Sequence, residues 1–464
     1  MANKGIFSFC QYVEGKTVSL IGAGVSNIPL IPFLYSCGVK NIFIRDLKKK
    51  ETDPEILEAK KNGAIPVLGE KYLDDLSEDI VIRSPGIRPD IPPFLKACEN
   101  GSRITCETEL FLEFVPCKSI AVTGSDGKTT TTTLISKILE EEGYRVFLGG
   151  NIGKSMLPQL KEIENENCIC VMELSSFQLM NCAFSPTISI ITNLSENHLD
   201  WHTDMDEYLL AKKNILKHQD TNSVSVLNFD NEYTKACKTN GKARYFSYQS
   251  KLPCDKSGVF YENGTIFIKK EDEVIPYFDS CEILLPGKHN VENYMAAIAA
   301  TLDLASKESV KKIANTFGGV EHRIELCRVL DGVKYYNSSI DSSPARSTAA
   351  LRSFQQKVIM IAGGYDKNLD YTPLGDEICQ HVKTLILCGA TSEKIRCAVL
   401  SSKFYKESEI MIVDCPNFDN VALFAQKEAV AGDVVILSPA SASFDLFKNF
   451  DERGKRFKKL VSEL

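Results

Sequence analysis

No stretch of the 464-residue sequence comes near the ~20 uninterrupted apolar residues that a membrane-spanning helix requires, so a membrane-embedded function is not expected. The opening segment, MANKGIFSFCQYVEGK, lacks the basic region, long apolar core and small-residue cleavage site of an export signal, and the expected location is the cytoplasm. Although there are 16 cysteines, no CxxC occurs. They are scattered, several in strand-like runs (Cys168, Cys170, Cys388), which argues against a disulfide framework and for reduced, mostly buried thiols. Fixed-period repeats and low-complexity tracts are also missing, which excludes solenoids and fibres. Positive charge is not in excess: 54 Lys and Arg against 61 Asp and Glu give a net charge of -7. Nothing in that balance attracts nucleic acid or an acidic membrane, so an anionic substrate must be held locally by Lys, Arg, helix termini or a metal.

What is present is a chain too long for one hydrophobic core, of ordinary globular composition, with 44% hydrophobic and 25% charged residues. Short β-branched runs alternate with helical patterns throughout, the rhythm of parallel α/β domains. The first unit holds KTVSLIGAG, KNIFIRD and DIVIRSPGI. A second opens near ITCETELFLEF and continues through SIAVTG, a helix from about Lys128, CICVMEL, TISIITNL, a polar region around 230–280 and a helix from about Val291. A third follows EHRIE with VKYYN, VIMIAGG, TLILCG and DVVILSP. The expected architecture is α/β in three domains. Residues 1–105 form a Rossmann-like domain, 106–319 a central P-loop ATPase-type parallel-sheet domain, and 320–464 a C-terminal Rossmann-like domain.

The strongest local signal is AVTGSDGKTT, a strand followed by a glycine-bearing turn and a helix start. Its residues Gly124, Ser125, Asp126, Gly127, Lys128, Thr129 and Thr130 suit a nucleoside triphosphate. Backbone N–H groups and the helix dipole face phosphate oxygens, Lys128 pairs with the β and γ phosphates, and the Thr129 hydroxyl holds Mg²⁺. The full P-loop pattern would have glycine where Val122 stands, so this is a shortened TGxxGKT form. LIGAGVSN carries two glycines of a dinucleotide fingerprint, with Asn27 in the third position and Asp46 about 20 residues on. A diphosphate-binding turn and a plain tight turn both fit it; NAD fits less well. Glu173 and His198 close apolar strand-like runs, where ligands converge on the crevice of a parallel sheet. Taken alone, His198 reads equally as a hydrogen-bonded structural residue and Lys212 as a solvated helix lysine.

The ordered set VTGSDGKTTTTT, GNIG, ELSSFQL, NHLD, YLLAK, LPGKHNVEN, EHRIE, GGYDKNLDY and LSPASASFDLFKNFDERG resembles the ATP-dependent Mur ligases over the whole chain. LSPASASFD, FKNFDERG and YYNSSIDSSPARS resemble their D-glutamate-adding branch. The resemblance implies ATP-driven amide formation between UDP-N-acetylmuramoyl-L-alanine and D-glutamate through an acyl phosphate, by a monomer with a pair of magnesium ions. It implies catalytic roles for Lys128, Glu173, His198, Lys212 and Arg323. Thr129, Glu173, His198 and a carbamylated Lys212 would surround metal, and Asn290, Asn293 and Arg323 would meet ATP. Val25, Ser26, Asn27, Arg45, Asp46, Ser84 and Gly86 would surround the uridine diphosphate, with Asn151 and Ser176 along its muramoyl-alanine tail. Ser342, Lys367, Ser443 and Phe450 would surround D-glutamate. Three reactants on three domains would also imply domain closure. Two departures stand out: Ser338 follows Asn337 where many relatives have Asp, the nearest acid being Asp341, and Asn197 precedes His198 where Asp is common. The competing readings are a sister ligase such as a folate polyglutamate synthase, an NAD-dependent oxidoreductase, and a nucleotide-binding regulator without catalysis.

Overall fold

The strand–helix alternation read from the sequence is what the chain adopts. A computed structural model describes residues 4–24, 26–163 and 167–464, so the candidate Val25 lies outside the described residues. The chain divides into two compact units, Met1–Glu282 with Val291–Ile313, and Ile283–Asn290 with Ala314–Leu464. The helix Lys288–Thr301 begins three residues before the expected Val291 and carries the boundary between them.

The first unit contains two sheets. One is fully parallel, in the order Ile65–Leu68, Asn41–Asp46, Thr17–Ile21, Ile80–Arg83, Arg103–Thr105. Its strand order reverses between Thr17–Ile21 and Ile80–Arg83, which opens a crevice at their carboxyl ends. The other has nine strands, and its site-bearing part runs Ile188–Ile191, Lys118–Thr123, Cys168–Glu173, Arg145–Gly150, all parallel. The polar region around 230–280 is built largely of strands. It builds the strands Lys242–Ser247, Gly258–Glu262, Thr265–Lys270 and Glu273–Asp279. The last three pair antiparallel, and the first two of them are joined by a turn in which Asn263 (φ 49°) and Gly264 (φ 89°) are both left-handed, the conformation a two-residue hairpin demands.

The second unit carries one six-stranded sheet in the order Glu325–Leu330, Val333–Asn337, Val434–Leu437, Val358–Ala362, Val382–Leu387, Met411–Asp414. Only its first pair is antiparallel. Along Val358–Ala362 alternate residues enter different cores: Met360 and Ala362 pack with Leu385 and Ile436, whereas Ile359 and Ile361 pack with Phe457 and Val461. Both faces are covered, which is why such strands read as unbroken apolar runs. All 16 cysteines are free thiols, and eight of them are buried. Among the described residues no helix is long and apolar enough to cross a membrane.

The first sheet encloses a buried ion pair. Arg45 Nη2 meets Glu78 Oε1 at 2.6 Å, while Arg45 Nε donates to Ser19 Oγ at 2.8 Å and Nη1 to Tyr72 O at 3.0 Å. Arg45→Met leaves Glu78 charged and buried without its partner, and should cost about 3–5 kcal/mol of stability in a urea melt. Adding Glu78→Leu should recover most of that loss, because an apolar pair needs no compensation.

Candidate active site

Four adjacent strands of the nine-stranded sheet deliver their carboxyl ends to one place. Asn151 follows Arg145–Gly150, Glu173 ends Cys168–Glu173, the turn 124–127 follows Lys118–Thr123, and residues 192–198 follow Ile188–Ile191. The turn is fixed from the neighbouring strand end. Ser125 N donates to Asn193 O (2.9 Å), Asp126 N to Asn193 Oδ1 (2.9 Å), and Thr192 Oγ1 to Asp126 O (2.6 Å). Gly124 sits at φ 146°, where a Cβ would collide with Thr192 Oγ1, and Gly127 at φ 77°, where a Cβ would strike Asn293 Oδ1. Only glycine fits at these two positions. The helix Lys128–Glu141 starts directly afterwards, with Thr130 buried in its first turn and Thr129 O accepting from Thr133 Oγ1. Lys128 Nζ curls over the turn, donating to Gly124 O (3.0 Å) and Ser125 O (2.9 Å). Asn293 Oδ1 accepts from Thr131 Oγ1 at 3.2 Å, and Asn290 Nδ2 donates to Pro286 O at 2.6 Å.

Glu173 is 2% exposed. Its Oε1 accepts from Asn151 Nδ2 at 2.8 Å, while Oε2 is buried with no hydrogen-bond partner among the described residues. Leaving a buried polar group unsatisfied costs about 1–3 kcal/mol, more when it is charged, so this oxygen is suited to a cation. Lys212, on the helix Met205–Lys217, is equally buried, and its Nζ donates to Gly124 O at 2.8 Å. Desolvation, reinforced by Lys128, brings its pKa down to about 7, with Glu173 and Asp126 pulling the other way. His198 is also lowered, by partial burial and then by Lys212 and Lys128. It adopts φ 54°, its N–H held by Asn197 Oδ1 at 2.9 Å, and its ring packs against Phe177. Asn197, for all its departure from Asp, still supplies that acceptor. Glu173, His198, Lys212 and Lys128 thus share one electrostatic environment, in which the buried carboxylate oxygen of Glu173 is the hard donor that suits a magnesium ion.

The crevice of the first sheet gathers the uridine candidates. Asn27 is buried with its amide donating to Ile21 O and Gly22 O (both 3.0 Å) and Ser84 Oγ (3.2 Å), so it braces the turn from within. Arg45 is engaged by Glu78 as described above. Asp46 accepts backbone N–H groups from Ala23, Lys48 and Lys49. Burial pushes its carboxyl up, but those donors outweigh it and hold it below the usual range. Ser26 lies in the turn itself, and Gly86 O accepts from Trp201 Nε1 at 2.9 Å. Ser176 Oγ is buried against His202 Nε2 (2.9 Å), whose Nδ1 faces Glu207 Oε2 (3.2 Å). Arg88 closes that chain with two bonds to Glu207, and Arg83 donates to Phe177 O and Met180 O. The sequence reading missed Thr192, Asn193, Arg88, His202 and Glu207. Their spacing carries no signal, since they act only once strands far apart in the chain become neighbours.

In the second unit the candidates lie on loops after parallel strands. Ser342 follows Val333–Asn337, Lys367 follows Val358–Ala362, and Ser443 follows Val434–Leu437. Lys367 Nζ lies 5.5 Å from the Phe444 ring, Ser443 is buried, and Phe450, 39% exposed, opens the helix Phe450–Ser462. Beside Arg323 the neighbouring His322 bridges Asp451 Oδ1 (3.0 Å) and Asn337 Nδ2 (2.8 Å). Asp341 is buried and pushed up to about 6 by desolvation, while Ser338, Ser438 and then Arg323 draw it back.

The Mur ligase middle domain matches residues 122–301, which contain the turn, Glu173, His198 and Lys212. The solved structure of the UDP-N-acetylmuramate-alanine ligase MurC from Thermotoga maritima covers 97% of this chain and 99% of its own at a TM-score of 0.58 and 18% identity, a likeness of fold. The UDP-N-acetylmuramoylalanine–D-glutamate ligase of Ruminiclostridium cellulolyticum is 47% identical over 469 residues, covering 100% of both chains. That of Acetivibrio thermocellus is 45% identical over 468 residues, covering 100% of this chain and 99% of its own. The chain belongs to the Mur ligases, in the family of the UDP-N-acetylmuramoylalanine–D-glutamate ligases.

Two outcomes are expected from this geometry. Gly124→Ala should abolish ATP binding by calorimetry, since the turn cannot keep its course against Thr192. Arg88 holds Glu207 down from 4.5 to about 2 against burial, which pushes it up, with Thr203 N–H and His202 adding to the depression. A depressed carboxyl stabilises the fold fully above its unfolded pKa and loses that contribution as pH falls through the folded one. Arg88→Met should therefore lower stability by about 1–3 kcal/mol at pH 7, and the difference from wild type should shrink between pH 4.5 and 2 in denaturant melts.

Proposed function

We propose that the protein joins the amine of D-glutamate to the carboxylate of UDP-N-acetylmuramoyl-L-alanine in an ATP-driven step of cytoplasmic peptidoglycan precursor synthesis, acting as a monomer. The observation that carries this reading is the full-length identity to D-glutamate ligases, together with the turn, Lys128, Glu173, His198 and Lys212 at adjacent strand ends. The domain reading 1–105, 106–319 and 320–464 assigns the uridine nucleotide to the first part, ATP to the second and D-glutamate to the third.

A carboxylate does not accept an amine at neutral pH, because its leaving group would be oxide. A carboxylate oxygen of the substrate therefore attacks the γ phosphorus, ADP departs, and an acyl phosphate forms. The D-glutamate nitrogen then adds to the acyl carbon, and the tetrahedral intermediate collapses with loss of phosphate and a proton. Lys128 and the backbone N–H groups of the turn balance the phosphate charge, with Arg323 assigned the same task. Thr129, Glu173 and His198 suit a pair of magnesium ions, which when bound would neutralise the crowded oxygens of both reactants. The orphaned Oε2 of Glu173 supports that fit.

Lys212 as an ammonium opposes a dication, whereas a carbamate there would be an oxygen ligand. Its neutral amine adds to the carbon of CO₂, one C=O electron pair moves to oxygen, and the ammonium proton leaves. Burial, which favours the neutral amine, supports this assignment. Asn290 and Asn293 are assigned to the adenine side of ATP. Ser342, Lys367, Ser443 and Phe450 are assigned to D-glutamate. Ser26, Asp46, Ser84, Gly86, Asn151 and Ser176 are assigned to contact with the UDP-sugar, and Asn27 and Arg45, whose side chains are engaged within the sheet, to shaping the site around it.

The test is ATP-dependent phosphate release with UDP-N-acetylmuramoyl-L-alanine, comparing D-glutamate with L-glutamate, diaminopimelate and no amino acid. Release with D-glutamate alone is expected; release with another amino acid moves the protein to a sister ligase. Lys128→Ala should lower turnover by about 10²–10³-fold or more. Lys212→Ala should do so with partial rescue by acetate, and should remove a carbamate signal from the ¹³C NMR spectrum of enzyme equilibrated with ¹³CO₂. Normal turnover in either variant would overturn its assignment.

A further inference from the structure

The helix Met205–Lys217 has a second, unassigned face. Tyr208 and Lys212 are buried on one side, whereas Leu210, Lys213, Asn214 and Lys217 recur at the i, i+3, i+4, i+7 spacing of the opposite side. That opposite side forms one wall of a cavity of about 770 Å³, the volume of a small-molecule site. Its apolar floor includes Met180, Ala183 and Leu216, and Leu210 stands over it 68% exposed. Lys213, Lys217 and Lys238 line it, and none of the three forms an ion pair among the described residues. In a chain with more acids than bases the lining includes a single carboxylate, Glu207, and Arg88 and His202 already occupy it. Free cations around an apolar floor complement one kind of ligand, an organic anion with an apolar body.

The cavity is also tied to the candidate active site from two directions. Ala211 and Lys213 flank Lys212 in the chain and both line the cavity. Asn214 Nδ2 donates to Leu179 O and Cys182 O (both 2.8 Å), binding the helix to the segment that follows Glu173. From the other end, Glu207 leads through His202 to Ser176. We propose that this cavity is an effector site for an amphipathic organic anion, and that its occupancy changes ligase turnover through the helix carrying Lys212.

The test uses the full chain with saturating ATP and Mg²⁺, so that the nucleotide site is filled. 8-Anilinonaphthalene-1-sulfonate serves as the fluorescent probe and decyl phosphate as competitor. One saturable site is expected, emptied by decyl phosphate but not by inorganic phosphate or decanol. Leu210→Glu, and Lys213→Glu with Lys217→Glu, should each weaken binding roughly tenfold, the effect of about 1.4 kcal/mol, with unchanged circular dichroism. Decyl phosphate should alter turnover of the wild type and not of Leu210→Glu. Binding that is indifferent to these substitutions, or displaced equally by inorganic phosphate, would overturn the site. Binding without any change in turnover would overturn the effector role.

Discussion

Two lysine nitrogens and one carboxylate are brought together at the ends of parallel strands, largely away from water, and the rest of the site is organised around that crowding. In water such charges would be screened; here the desolvation of Lys212 and its repulsion by Lys128 are large enough to bring its amine near neutrality. Among the described residues the Glu173 carboxylate is held by Asn151 at one oxygen and has no partner at the other. The unsatisfied Glu173 oxygen is the point in this cluster that a cation is suited to fill. The scaffold tolerates this because each charged group sits on a strand end or a well-packed helix. Gly124, with no room for a Cβ, fixes how near the turn lies to Thr192.

How much of this was legible in the sequence differs from segment to segment. The triphosphate turn could be read residue by residue, because its chemistry is local: glycines for left-handed backbone, lysine and threonine at the helix start. Parallel strands were also legible, since strands covered on both faces are written as unbroken apolar runs. The hairpins between 258 and 279 lie in a stretch whose composition reads only as polar. The strand Thr265–Lys270 alternates half-buried and buried residues over Thr265–Ile268, and the signal for the hairpin it forms with Gly258–Glu262 is the short Asn263-Gly264 turn. Long-range partners such as Thr192 and Arg88 had no signature, because strand order is not written in spacing.

The first sheet shows a subtler limit. Asn27 and Arg45 are polar residues at the mouth of a nucleotide-type crevice, and residue type alone points to ligand binding. In the structure their side chains face inward, Asn27 to the carbonyls of its own turn and Arg45 to Glu78. A buried carbonyl or carboxylate needs its donor as much as a substrate does, and sequence cannot tell which acceptor claims it. Asp46 occupies the middle ground. Three backbone donors keep it ionised while it remains half-buried at the crevice edge.

The departure at Ser338 carries a related lesson about position in sequence and position in space. After the strand Val333–Asn337 the backbone turns back on itself: Asp341 N donates to Ser338 O at 2.9 Å, and Ile340 N to His322 O at 3.1 Å. A carboxylate three residues along therefore returns to the same strand end, where Ser338 and Ser438 hydroxyls bond it and Arg323 attracts it. Burial raises its pKa, and those three groups together with Arg346 keep it from rising further. A substitution that reads as loss of an acid along the chain is thus accompanied by an acid a few ångströms away in the fold. Motif matching by position registers the first and is blind to the second.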